Sequence, residues 1–246
     1  MTEKQTSLAL SQVLLLLAEG KIEVEGLIPW SSNATLLVTA HHAGLSCLAV
    51  YKPQRGETPL WDFASGTLGR REVAAYLVSE ALGWGLVPPT VMRDGPYGPG
   101  SVQLFIHARE DSHYFTIREG GSHVDDLMRL AAFDAVTNNA DRKSGHCLLD
   151  REGRLWAIDN ALSFHADPKL RTVIWDFSGL PFPRGVLDDL AMLKDDLQDE
   201  ASLTRALSPL LSEKEVAALQ LRLQRLILAG RYPEPGLGRA VPWPLV

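Results

Sequence analysis

Apolar residues in this chain recur with two different periods in two different stretches, and no single element type satisfies both. Over residues 21–51 the segments KIEVEGLIPW, ATLLVTA and LSCLAVYK follow the two-residue period of strands, interrupted at SSN and HHAG. From about residue 122 the spacing becomes three and four. VDDLMRLAAFDAVTNN, GVLDDLAMLKDDLQD, ASLTRALSPLL and SEKEVAALQLRLQRLILAG all read as helices, the last opened by a capping box of Ser212 and Glu215. One helix lies among the strands: LGRREVAAYLVSEALG puts Val73, Ala74, Leu77, Val78, Ala81 and Leu82 on one face and stops at Gly83. PPTVMRDG and GPGSVQLFI follow it as two more strands. The expectation is an α+β, bilobal fold. A small antiparallel-sheet lobe spans 1–106, with an N-terminal helix and one inserted helix. A connector near Ile106 to Gly121 leads into a mainly helical lobe over 107–246, and a crevice between two such lobes is a natural ligand site.

Composition removes several function classes. The 246 residues are 46% hydrophobic, enough for a sizeable core, and the net charge of −6 argues against a broad footprint for nucleic acid or anionic membrane. The apolar run Val13 to Leu17 is too short to cross a bilayer and has no basic leader, so no stable membrane insertion is expected. Cys47 and Cys147 form neither a disulfide framework nor a CxxC metal site, which suits a reducing cytoplasmic setting. The histidines at 41, 42, 107, 113, 123 and 165 lack zinc-ligand spacing. The proline-rich stretch RYPEPGLGRAVPWPLV at 231–246 reads as extended chain.

Chemistry concentrates in NNADRKSGHCLLDREGRLWAIDNALSFH, residues 138–165. CLLD and LWAID are short apolar runs around a charged turn with Gly153, a hairpin with Asp141 before it and Asp159 at its end. Phosphoryl transfer from ATP requires few protein groups: a lysine on the phosphates, carboxylates on magnesium and a base near the acceptor. The protein-kinase template has an aspartate, a metal-binding asparagine five positions later and a second metal-binding aspartate beyond. Here Asp141 is followed by Lys143 two positions on, His146 five positions on and Asp159 eighteen positions on.

With VYKP at 50–53, REVAAYLVSEALGWGLVPPT at 71–90, GSVQLFI at 100–106, NNADRKSGH at 138–146 and AIDNALSFH at 157–165, the chain resembles the atypical branch of the protein-kinase-like fold. That branch contains type II phosphatidylinositol 4-kinases and HipA-type kinases, and the chain looks most like the bacterial phosphatidylinositol 3- and 4-kinase-like group. The resemblance implies ATP and Mg²⁺ or Mn²⁺ as cofactors. It makes Lys52 the phosphate-holding lysine and Glu72 its helix partner, with Glu80 in reserve. Gln103 to Ile106 become the adenine hinge, with Phe105 and Ile106 closest. Asp141 orients or deprotonates the acceptor, Lys143 steadies the transferred group and Asp159 holds the metal.

Three positions depart from the pattern. The phosphate-covering loop lacks GxGxxG, and PWSSNATLL offers Ser31, Ser32 and Asn33 instead. His146 stands where an asparagine is expected, as a phosphate contact, a ligand for a softer metal, or a sign that one metal site is empty. Asp159 is followed by Asn160 and Ala161, so the phenylalanine switch is missing. The expected activity is transfer of the γ-phosphate to an unknown hydroxyl acceptor, a protein or small molecule in preference to a lipid. A nucleotide-binding pseudokinase that acts as sensor or scaffold is the alternative.

Overall fold

The computed structural model describes residues 8–29, 33–198, 201–236 and 238–245. Helix α1 (Leu10–Glu19) precedes strands β1 (Lys21–Leu27), β2 (Leu36–His42) and β3 (Leu45–Pro53). Helix α2 (Leu68–Ala81) then leads to β4 (Thr90–Gly95) and β5 (Gly98–Leu104). The five strands form one antiparallel sheet in the order β1-β2-β3-β5-β4. Alternation decides its faces. Leu36, Val38, Ala49, Tyr51 and Val102 point to one side and pack against Val13 and Leu17 of α1, each large apolar side chain contributing about 1.5–3 kcal/mol. Lys52 therefore points to the opposite side, toward α2.

Helix α2 departs from the one-faced expectation. It is buried nearly all round, including Arg71 (3% exposed), Glu72 (1%) and Ser79, because the sheet covers one side and the helical region another. Gly69 allows this approach at the level of Lys52: a Cβ there would lie 3.3 Å from the Ser101 amide nitrogen. Gly100 lets β5 pass close to β3, where a Cβ would lie 2.5 Å from the Lys52 carbonyl oxygen.

After β5, the expected connector contains a helix, α3 (Tyr114–Gly120), which buries Tyr114 and Ile117. YFTIREG is too short to show a period, and its helicity comes from that tertiary burial. Helix α4 (Val124–Thr137) follows, then the hairpin β6 (Cys147–Leu149) and β7 (Leu155–Ala157), and helices α5 (Arg184–Asp196), α6 (Ser202–Leu207) and α7 (Glu213–Ala229). One large apolar cluster joins α2, α4, the hairpin and α5 to α7. The Ser212 amide donates to Glu215 (2.9 Å), as the capping pattern requires. Within the proline-rich stretch, the Ala240 and Leu245 carbonyls accept hydrogen bonds from the Thr172 and Ser144 N–H groups. His41 and His42 lie within β2, and the turn falls at Ala43 and Gly44, both left-handed.

Candidate active site

Four segments that are distant in sequence meet between the sheet and the helices. Strand β3 delivers Lys52, whose Nζ donates to Glu72 Oε1 of α2 at 2.5 Å and to Asp159 Oδ1 after the hairpin at 2.9 Å. Burial alone would lower the lysine's pKa, but the two carboxylates outweigh it and raise it above its ordinary value. Lys52 in turn holds the Asp159 carboxyl well below the usual carboxylate range. The second oxygen of Glu72 accepts the Asn160 N–H at 2.9 Å, so α2 fixes both the lysine and the turn that carries Asp159. Glu80, the reserve partner, lies on the exposed end of the helix and makes no contact with Lys52.

Asp141 and Lys143 come from the loop after α4. Their side chains meet at 3.3 Å (Nζ to Oδ2). Burial raises the Asp141 carboxyl, and Lys143 partly offsets that. Backbone and side-chain bonds hold the loop: Asn139 Oδ1 accepts the Asp141 N–H at 2.9 Å, and the Ala140 N–H donates to the Leu162 carbonyl at 2.8 Å. Beneath it, Arg142 is fully buried. It donates to both Asp134 oxygens at 3.0–3.1 Å, to the Ile158 carbonyl at 2.8 Å and to Asn160 Oδ1 at 2.5 Å. This one guanidinium ties α4, the Asp141 loop and the Asp159 turn together. Asn138 and Asp159 are both left-handed (φ 56° each), which suits asparagine and aspartate and turns the chain sharply at each site.

His146 completes the floor. Its Nε2 lies 3.3 Å from Asp159 Oδ2, and its Nδ1 faces the Lys143 N–H at 3.4 Å. Burial, reinforced by Arg142, Lys143 and Lys52, pushes its pKa down to about 4 against the pull of Asp159. At neutral pH the imidazole is therefore uncharged. An Nδ1 that accepts from a backbone N–H leaves the proton on Nε2, which donates to Asp159.

A cavity of about 220 Å³ opens over these groups. Lys52, Glu72, Lys143, His146, Asp159 and Asn33 line it, with Thr35, Glu57 and Gly69. Asn33 Oδ1 is engaged by the Thr58 N–H at 2.7 Å, which docks the covering loop on the chain after β3. Ser31 and Ser32 lie outside the described residues. The hinge expectation fares differently. Gln103 is buried and donates to Thr90 Oγ1 at 2.8 Å, the Phe105 N–H donates to the Leu48 carbonyl at 3.0 Å, and Phe105 and Ile106 line a separate groove with Leu48 and Trp156. None of the three borders the Lys52 cavity.

Among the described residues no group of three or more His, Cys, Asp or Glu side chains could cage an ion. Asp159 is 46% exposed to the cavity, and magnesium commonly takes one or two carboxylates and completes its shell with substrate phosphates. The residues thus fit a cation that arrives with a phosphate ligand and do not fit a resident caged metal. His146 cannot ligate through Nε2 while that nitrogen carries its proton.

Sequence reasoning missed Arg142 and Asp134. A signal was present: Asp134 is a single acid in the apolar run LAAFDAV, and a buried carboxylate demands a cation.

None of the models of known protein families matches the chain. Protein Rv2133c of Mycobacterium tuberculosis is 38% identical, covering 93% of each chain. Among solved structures, the Golgi casein kinase with Mn/ADP bound superposes with a TM-score of 0.56 at 14% identity, over 89% of this chain and 75% of that one. Hydra Fam20 with sugar gives 0.54 at 16%, over 89% and 87%, and the Helicobacter pylori proinflammatory kinase CtkA gives 0.52 at 11%, over 88% and 94%. The fold is protein-kinase-like. No helix among the described residues is long and apolar enough to cross a membrane.

Proposed function

The chain belongs to the family of Protein Rv2133c, and from the cleft it carries we propose that it is an atypical kinase, an ATP-dependent phosphotransferase acting on a hydroxyl acceptor. The observation that carries this reading is the lysine bound to both a helix glutamate and the aspartate after the hairpin, beside the Asp141–Lys143 pair. Lys52 binds phosphate oxygens, held in place and kept charged by Glu72. Asp159, with a divalent cation that arrives with the nucleotide, neutralises phosphate charge. Asp141 accepts the hydroxyl proton as the acceptor oxygen bonds to the γ-phosphorus. The bond from that phosphorus to the β–γ bridging oxygen breaks, and ADP leaves. Lys143 neutralises charge on the group in transit, and His146 steadies Asp159. The sheet lobe ends near residue 106 and the helical lobe begins there.

The order of the motifs supports a relation to the phosphatidylinositol 3- and 4-kinase-like group, and the solved neighbours support the kinase-like fold. A protein or small-molecule hydroxyl in a reducing cytoplasm is favoured over a lipid by the net charge of −6, and no helix among the described residues is long and apolar enough to cross a bilayer. A second reading, a pseudokinase that binds nucleotide without transfer, is favoured by one contact: His146 occupies the Asp159 oxygen that a metal would use. Measuring ATP consumption by the parent, Asp141→Ala and Asp159→Ala separates them. Turnover lost in both variants supports the kinase, and nucleotide binding without Asp141-dependent turnover supports the pseudokinase.

A further inference from the structure

The stretch 239–245 lies against the loop that carries Asp141. The Ala240 carbonyl accepts from the Thr172 N–H at 3.1 Å and from Trp175 Nε1 at 3.0 Å, the Leu245 carbonyl accepts from the Ser144 N–H at 2.8 Å, and Pro242 is buried. Residues 171–173 lie between: the Arg171 N–H donates to the Asn139 carbonyl at 2.8 Å and the Arg142 N–H to the Arg171 carbonyl at 3.0 Å. Three segments thus run side by side on the Asp141 flank.

Each contributes a cation. Lys143 is bound to Asp141. Arg239 is exposed yet held, its Nε donating to the Val241 carbonyl at 3.0 Å, and it lies near enough to Asp141 to pull that carboxyl downward. Among the described residues its two terminal nitrogens have no hydrogen-bond partner, and the half-buried Arg171 side chain has none either. In a chain with a net charge of −6, Lys143 and Arg239 flank one carboxylate, with Arg171 on the adjoining segment. A guanidinium anchored by one nitrogen presents its remaining fork to a planar or tetrahedral oxyanion.

We infer that Arg239 reads an anionic group on the acceptor, so that the substrate is a hydroxyl compound carrying its own phosphate or carboxylate. The inference rests on the proposed transfer to a hydroxyl but concerns a separate set of residues. Arg239 is a specificity residue here, and Asp141 and Lys143 remain the groups at the reacting atoms.

The test uses the full chain with Mg-ATP, as parent, Arg239→Gln and Arg239→Lys. Transfer is measured to matched probes: glycerol against glycerol 3-phosphate, and a serine peptide flanked by alanines against the same peptide flanked by glutamates. The parent should favour the anionic member of at least one pair, and which pair identifies a small phosphate ester or an acidic peptide as the source. Arg239→Gln should lower kcat/KM for that member alone by about tenfold or more, mainly through KM, with Arg239→Lys recovering part of it. Equal use of both members by the parent, or an equal loss on both in Arg239→Gln, overturns the inference. A binding arm covers a chain that transfers nothing. Inorganic phosphate is titrated calorimetrically into protein loaded with a non-hydrolysable ATP analogue. Phosphate binding lost in Arg239→Gln keeps this inference while the transfer reading fails, and phosphate binding that is absent in the parent or indifferent to Arg239 removes it.

Discussion

Lys52 is one cation between two carboxylates, so the trio carries a net negative charge before any ligand arrives. A triphosphate brought there meets Glu72 and Asp159 as well as the lysine, and unit charges a few ångströms apart at a protein surface repel by several kcal/mol. Nucleotide should therefore enter with a divalent cation that takes over Asp159 and releases Lys52 to the phosphates. His146 bears on this exchange. As an uncharged donor it holds one Asp159 oxygen at a fixed angle without adding positive charge that would compete with a metal. His146→Gln, which keeps a donor near that oxygen, should retain turnover within about threefold. His146→Ala should lose about tenfold or more, in the range seen when groups that orient a metal-binding carboxylate are removed. Steady-state kinetics at saturating magnesium check this, and equal losses in both variants would count against the donor role.

At the scale of elements, α2 must stay in register with β3 for Glu72 to reach Lys52, and its ties run in two directions. Toward the sheet, Gly69 allows close approach. Toward the helical region, Arg71 donates to the Ser163 carbonyl at 2.6 Å and pairs with Glu215 at the start of α7. The Glu215 carboxyl sits in partial burial that would raise its pKa, but the Ser212 amide and Arg71 outweigh this and lower it below the ordinary 4.5. A group whose folded pKa is depressed contributes stability in full above its unfolded value and loses it as pH falls through the folded one. Glu215→Gln should thus be less stable than the parent by about 1–3 kcal/mol at pH 7. In urea unfolding the gap should close as pH drops below 4.5. A gap that is constant with pH would mean that Glu215 acts by packing alone. Most of the architecture was legible because period marks strands and long helices directly: β1 to β5, α2, α4 and the hairpin fall where the alternation put them. Helix α3 was not, since seven residues cannot display a period and its burial is tertiary. Within the site, Lys143, His146 and Asp159 were readable from spacing and Lys52 and Glu72 from the family resemblance, and the five share one cavity. The Arg142–Asp134 pair was hidden because sequence gives no distance between a helix acid and a loop arginine. The hinge set was half-readable: Gln103 stands opposite Val50, two positions before Lys52, yet its side chain turns to Thr90.

At the scale of the whole molecule, the cleft of this acidic chain sets Lys52 between two carboxylates above the buried Arg142–Asp134 pair. That arrangement resists free polyanions and admits a neutralised one. It also predicts an order of dependence: Lys52 and Asp159 matter for holding nucleotide with cation, and Asp141 matters for what happens next. The most direct measurement is calorimetric titration of a non-hydrolysable ATP analogue with magnesium into the parent, Lys52→Ala, Asp159→Asn and Asp141→Asn, with folding of each verified by thermal melting. One-site binding is expected in the parent and in Asp141→Asn, no detectable binding in Lys52→Ala and Asp159→Asn, and no binding by the parent without the cation. Absence of heat with the parent, or the same affinity in all four proteins, would contradict it.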